Sequence, residues 1–197
     1  MSLKTIYMTG APAAGKSSTA RLLAEAVTPL QLWEYGARLT KFVRDRGAAI
    51  SDQSDVRRKS ANIVLPEDVT AVDELLLQFI ETHRASSHVL IDSHPVTKED
   101  YGYRITAFSL DQVGKLNPDE IWVLYTSPEV AIQRIGDDAG GRPMVDIEEA
   151  RFHTTLQASL AATYGAITGK PVYLFDTNIE QTALVTRLAR RLARPTR

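Results

Sequence analysis

The residues best equipped for chemistry are Gly10-Ala11-Pro12-Ala13-Ala14-Gly15-Lys16-Ser17, with Ser18 following. Their spacing is G-x-x-x-x-G-K-[ST], that of a phosphate-binding P-loop. The glycines allow backbone conformations and a close approach that a Cβ would obstruct. Successive N–H groups of such a loop can wrap a phosphate chain, and a helix dipole behind them favours its negative charge. Lys16 can reach the β- and γ-phosphates as a point charge, and the Ser17 hydroxyl can hold Mg²⁺. Gly10 to Ser18 are therefore the expected contacts of a nucleoside triphosphate.

A second stretch, Val89-Leu90-Ile91-Asp92, is an apolar run that ends in a carboxylate. A buried parallel strand delivers such an aspartate to the C-terminal edge of its sheet, where open α/β sheets bind ligands. Beside a P-loop, Asp92 can hold Mg²⁺ directly or through water. Its plainer role is to cap a turn. His94, two residues on, is a candidate substrate contact or a packed side chain. Arg57, Arg58 and Lys59 form a cationic cluster that either binds a second, anionic substrate or is simply solvated. Arg134 precedes, and Arg142 lies within, Asp137-Asp138-Ala139-Gly140-Gly141-Arg142-Pro143. That composition suits a mobile lid carrying arginines over a phosphate chain, or else a linker.

The elements that must position these residues alternate between strand and helix patterns. Leu3 to Thr9 reads as a buried strand leading into the loop, and Ser18 to Val27 as the helix behind it. A second strand is expected at 30–35, then Gly36 and a helix over 37–46 stopped by Gly47. Pro66, Glu67 and Asp68 open a helix to His83, with Val69, Val72, Leu75, Leu76, Phe79 and Ile80 as its buried stripe. Residues 95–108 read as a loop, and 109–116 as a short capped helix. A strand at 120–125 precedes a helix started by Ser127-Pro128-Glu129. A long helix over 146–168 carries Phe152, Leu156, Leu160 and Tyr164. A last strand at 171–175 leads to a helix from Ile179, capped by Asp176-Thr177-Asn178. The pattern predicts an α/β fold in three layers, with helices on both faces of a parallel sheet. His83 and His88 read as surface residues and His153 as structural. The arginines of the last helix, 187, 190, 191, 194 and 197, lack interleaved aromatics and read as a solvated face rather than a nucleic-acid patch.

At 197 residues the chain is long enough for one domain with its own core. A net charge of −1 supplies no overall field toward nucleic acid or anionic membrane. The absence of cysteine removes disulfides, thiol catalysis and thiolate metal sites, and fits a reducing, cytoplasmic setting. The first residues read as a core strand rather than a signal peptide. No apolar run is long enough to span a membrane. Small-molecule nucleotides are the expected partners.

The whole pattern resembles the archaeal-type adenylate kinases, a branch of the P-loop nucleoside monophosphate kinases. The resemblance rests on the P-loop, Tyr35-Gly36, Ile91-Asp92-Ser93-His94, Lys115-Leu116-Asn117-Pro118-Asp119, Arg134-Ile135-Gly136-Asp137 and Tyr164-Gly165-Ala166-Ile167-Thr168-Gly169. It implies a five-stranded parallel sheet in a single kinase domain. It also implies an NMP-binding insertion around 36–66 and a lid around 137–146. The implied reaction is transfer of the γ-phosphoryl of ATP to a nucleoside monophosphate such as AMP, with Mg²⁺. By position, the P-loop holds ATP, Ser17 and Asp92 lie at Mg²⁺, Arg134 and Arg142 clamp the phosphates with Lys16, and Arg57 or Arg58 meets the acceptor phosphate. The sequence departs from the family at Gly140 and Gly141, where family lids usually hold more arginine. Two other readings stay open: a kinase of an uncharged acceptor (a nucleoside, a sugar or a shikimate-like alcohol) with Asp92 as its base, and a nucleotide-binding switch without catalysis.

Overall fold

The computed structural model describes residues 3–48, 50, 63–99, 101–137 and 144–194. Its main sheet is parallel, in the order β2-β3-β1-β6-β7, from β1 (Thr5–Thr9), β2 (Leu30–Glu34), β3 (His88–Asp92), β6 (Glu120–Tyr125) and β7 (Val172–Asp176). Strand side chains alternate between two cores, as the pleat requires. Tyr7, Val89, Ile91, Ile121 and Val123 face one side, where they meet α3 (Pro66–His83), α4 (Leu110–Leu116) and α6 (Ile147–Thr168). Ile6, Met8, Leu90, Trp122 and Leu124 face the other, against α1 (Lys16–Ala26) and α7 (Gln181–Leu192). Covered on both faces, β1, β3 and β6 read as apolar runs rather than alternating ones.

The sheet sets up the site through β1. This strand pairs with β3 on one side, Met8 opposite Asp92, and with β6 on the other, Thr9 opposite Val123. The strand order therefore reverses direction at β1, which opens a crevice at its C-terminal end. α2 (Tyr35–Asp45) and α3 stand beside that crevice, and Val43, Ile50, Ile63 and Val64 form a small core of their own there. Arg46 pairs with Asp68 at 2.8 Å and donates to the Ile63 carbonyl at 2.9 Å, joining the end of α2 to the start of α3.

Several expectations need correction. Residues 95–108 are not all loop: β4 (Val96–Glu99) and β5 (Gly102–Ile105) form an antiparallel hairpin with Thr97 opposite Arg104. Their short, mixed sequence carries little alternation. Gly36 lies inside α2, which starts at Tyr35. The last helix starts at Gln181, where the Glu180 carboxylate accepts the Ala183 N–H at 2.9 Å. Asp176 instead accepts the Asn178 N–H in a tight turn. The buried face of α6 carries Ala150, His153, Gln157, Ala161 and Tyr164, while Leu156 and Leu160 are half-buried and Phe152 is exposed. His88 is not on the surface either; its Nδ1 accepts the Lys4 N–H at 3.1 Å, and burial, with Lys4 nearby, holds its imidazole below the ordinary range.

Arg191 also points inward. It joins Lys4 on the fully buried Glu120, at 2.9 and 2.6 Å, and Trp122 Nε1 donates to the same carboxylate at 2.9 Å. Burial alone would push the Glu120 carboxyl up, but the bonds from Arg191, Lys4 and Trp122 bring it below the usual carboxylate range. This cluster ties the strand end of β1 to β6 and α7. Glu120→Ala leaves two cations without their acid, and is expected to cost about 3–5 kcal/mol of stability. Urea unfolding measures it, and a loss below about 1 kcal/mol would show the cluster to be dispensable.

Candidate active site

The P-loop turns tightly out of β1. Gly10 has φ +151°, and a Cβ there would stand 2.1 Å from the Leu124 carbonyl oxygen of β6. Only glycine lets the chain leave the sheet so close to its neighbour. Gly15 and Ala13 also take positive φ, +75° and +61°. Gly15 stands at the N-cap of α1 and supplies no side-chain acceptor there. The first N–H groups of α1 thus keep their bonding capacity for an anion. Lys16 is nearly buried, and its ammonium donates to the Ala11 carbonyl at 2.9 Å. Ser18 Oγ donates to the Gly15 carbonyl at 3.0 Å and braces the turn.

Ser17 and Asp92 meet across the crevice. Ser17 Oγ donates to Asp92 Oδ2 at 2.7 Å. The other carboxylate oxygen, Oδ1, is buried and accepts no hydrogen bond among the described residues. Burial drives the Asp92 carboxyl above its ordinary range, against the pull of Lys16 and of the Ser17 hydroxyl. A buried carboxylate with an idle oxygen invites a cation or a proton donor. One hydroxyl and one carboxylate are hard oxygen donors, and among the described residues no cluster of three or more acidic, histidine or cysteine ligands competes with them. That set fits Mg²⁺, which uses one or two carboxylates together with substrate phosphates.

From Asp92 the chain runs along a cleft of about 110 Å³ lined by Tyr35, Leu39, Val69, Asp73, Ser93, His94, Arg104 and Phe108, among others. Asp73 sits on the buried face of α3, where its Oδ1 accepts the Tyr35 hydroxyl at 2.6 Å and its Oδ2 the Gln112 amide at 3.0 Å. Burial pushes the Asp73 carboxyl from 3.8 to about 6, against the hydrogen bonds of Tyr35 and Gln112. The hairpin brings Arg104 to this cleft, paired with Glu99 at 2.9 Å. α6 holds the hairpin: His153 Nε2 and Gln157 Nε2 both meet the Val96 carbonyl, at 3.0 and 3.3 Å. Burial lowers the His153 imidazole to about 4, so it is neutral, and its contact with a carbonyl places the proton on Nε2.

The model of the AAA domain family (AAA_17) matches residues 9–151, which run from the end of β1 through the P-loop and Asp92 into α6. The chain belongs to this family. It is also similar to the adenylate kinase of Methanococcus aeolicus, at 21% identity over 95% of this chain and 100% of that protein. Among solved structures, shikimate kinase from Acinetobacter baumannii in complex with shikimate aligns at TM-score 0.57 and 18% identity, covering 97% of this chain and 93% of that one. The Deinococcus radiodurans tunicamycin resistance protein aligns at TM-score 0.59 and 12% identity, over 98% and 97% of the two chains. The fold is that of the P-loop kinases.

Within this AAA domain protein, Lys16, Ser17, Asp92, Arg134 and His94 gather around the crevice. Arg134, from α5 (Pro128–Gly136), donates to the Ala13 carbonyl at 3.2 Å and to the Thr177 carbonyl at 2.9 Å, which sets its guanidinium against the P-loop. Arg57, Arg58 and Arg142 lie outside the described residues, as do most of the expected lid and much of the expected insertion. Asp73, Tyr35 and Arg104 line the cleft, and Gln112 holds Asp73 there; sequence reading did not single them out for function. A signal for Asp73 existed: it is an acid in register with the apolar stripe of α3, four residues after Val69 and three before Leu76.

Two predictions arise here. Asp92→Asn keeps the shape and loses the charge, so the Mg²⁺ concentration needed for half-maximal binding of an ATP analogue should rise about tenfold or more. An unchanged Mg²⁺ titration would leave Asp92 a strand-end cap. Asp73 titrates higher in the folded than in the unfolded chain, so its protonated form favours folding. That contribution is complete below pH 3.8 and is lost as pH rises through about 6. Asp73→Asn is spared this loss, so between pH 4 and pH 7 its Tm should gain on that of the native protein. A constant Tm difference over that range would contradict the burial cost.

Proposed function

We propose that the chain transfers the γ-phosphoryl of ATP to a nucleoside monophosphate, with AMP the first candidate. The observation that carries this reading is the continuity of the site. The Ser17–Asp92 pair stands at the P-loop, and Ser93 and His94, the next two residues, line the cleft. Donor phosphates on the loop and an acceptor in the cleft would meet at that pair.

On this reading the residues from Gly10 to Ser18 hold the ATP phosphates, through backbone N–H groups and the Lys16 ammonium. Ser17 and Asp92 hold Mg²⁺, which when bound screens the charge between the β- and γ-phosphates. Arg134 props the Ala13 carbonyl and brings a fixed cation to the loop's side. Arg142, Arg57 and Arg58 keep the phosphate contacts that the family resemblance gives them. An acceptor phosphate is already an anion, so it needs positioning and charge neutralisation rather than a base. The full-length similarity to a Methanococcus aeolicus adenylate kinase supports the choice of acceptor.

One observation favours a second reading. The idle, buried Oδ1 of Asp92, on a carboxyl whose burial raises its proton affinity, could take the proton of an acceptor hydroxyl. Under that reading the acceptor is an alcohol, as the shikimate in the Acinetobacter baumannii structure would suggest.

The test is ADP formation from ATP and Mg²⁺ with AMP, other nucleoside monophosphates, shikimate and simple sugars offered in turn. AMP or another monophosphate should give the fastest turnover. Phosphorylation of an alcohol alone would install the second reading, and tight ATP binding with no transfer to anything would point to a switch. Lys16→Ala should lower kcat by about 10²–10³-fold with the fold intact, because it removes a cation that meets the transferring charge. Near-native turnover in that variant would remove the P-loop from the chemistry.

A further inference from the structure

Moving a phosphoryl group gives Asp73 no task, yet it lines the acceptor cleft. It is 5% exposed, and among the described residues no lysine or arginine pairs with it. An ionised carboxylate has about four acceptor positions, and Tyr35 and Gln112 fill two of them. A buried acid with spare acceptor capacity and no counter-ion selects a ligand that brings a donor. Around it stand Leu39, Val64, Val69 and Phe108. Apolar walls bury the faces of a flat ring well, whereas the hydroxyls of a polyol would each need a partner there.

We propose that Asp73 sets specificity by accepting a hydrogen bond from the exocyclic amino group of the acceptor's base. The cleft then takes amino-bearing adenine and cytosine in preference to the matched oxo bases, hypoxanthine and uracil. This rests on the nucleoside monophosphate reading above. An oxo base sets a carbonyl against the carboxylate, two acceptors with no hydrogen between them. Its neighbouring ring N–H can donate only by drawing that carbonyl against the same acid. Sites built around one buried hydrogen bond reject analogues that lack it strongly. A preference of about 10²-fold in kcat/KM is expected.

The experiment compares AMP with IMP and CMP with UMP in the native protein and in Asp73→Asn. Each preference is a ratio within one preparation, so a partly unfolded variant still gives a valid value. The native protein should favour the amino base of each pair. Asp73→Asn can turn its amide donor toward an oxo base, and should cut the preference at least about tenfold. Equal rates for amino and oxo bases in the native protein, or an unchanged ratio in Asp73→Asn, would overturn the proposal. Calorimetry with adenosine and inosine, on protein saturated with Mg²⁺ and a non-hydrolysable ATP analogue, separates this claim from the reaction. Adenosine-selective binding that Asp73→Asn abolishes would uphold Asp73 as the base reader even if no monophosphate were phosphorylated. Binding of neither nucleoside would overturn it.

Discussion

The site depends on one pairing. β1 and β3 run parallel with Met8 opposite Asp92, so the strand that launches the P-loop and the strand that ends in the carboxylate finish side by side. The loop then climbs over the end of β1, and Ser17 comes down on Asp92 at 2.7 Å. A shift of one residue in that register would point Asp92 to the opposite face of the sheet. The tight exit at Gly10 fixes the other side of the geometry, because the Leu124 carbonyl leaves no room for a Cβ. The buried Lys4–Glu120–Arg191 cluster anchors the far ends of β1 and β6. The P-loop end of the crevice is thus held by the central strands themselves.

The cleft around Asp73 is built differently. Its walls come from α2, α3 and the β4–β5 hairpin rather than from the central strands. Polar groups hold them: Arg46 on Asp68, Tyr35 and Gln112 on Asp73, and His153 and Gln157 on the Val96 carbonyl. Gln157 also accepts from Thr9 Oγ1 at 3.0 Å, so α6 links the hairpin directly to the end of β1. Such bonds fix direction more than they add net stability. They orient a hairpin and two helices around a cleft that continues from Asp92.

The phosphate end was legible in the sequence because its signals are local. Gly10 to Ser17 form a motif whose spacing follows from backbone geometry, and Val89 to Asp92 report a buried strand by composition alone. The Asp73 cleft was less legible, since its signals are not local. The hairpin lacks alternation, and His153 and Gln157 face inward to satisfy Thr9 Oγ1 and the Val96 carbonyl, groups far away in the chain. Of Phe152, Leu156, Leu160 and Tyr164 on α6, only Tyr164 is therefore fully buried. His88 and Arg191 were misread for the same reason: their partners, Lys4 and Glu120, are distant in sequence. Asp73 carried a weak signal as an acid among the apolar residues of α3. Its partners Tyr35 and Gln112 could not be assigned without the packing of α2 and α4.

One molecule should occupy the P-loop and the Asp73 cleft at once, with Ser17 and Asp92 between. A crystal structure with Mg²⁺ and a bisubstrate analogue, two adenosines joined by a chain of phosphates, tests it most directly. Joint occupancy puts phosphates on the loop N–H groups, a metal about 2.1 Å from Ser17 Oγ with Asp92 in its surroundings, and an adenine amino group against Asp73. A metal bound away from Ser17 and Asp92, or a second adenine outside the cleft, would contradict it.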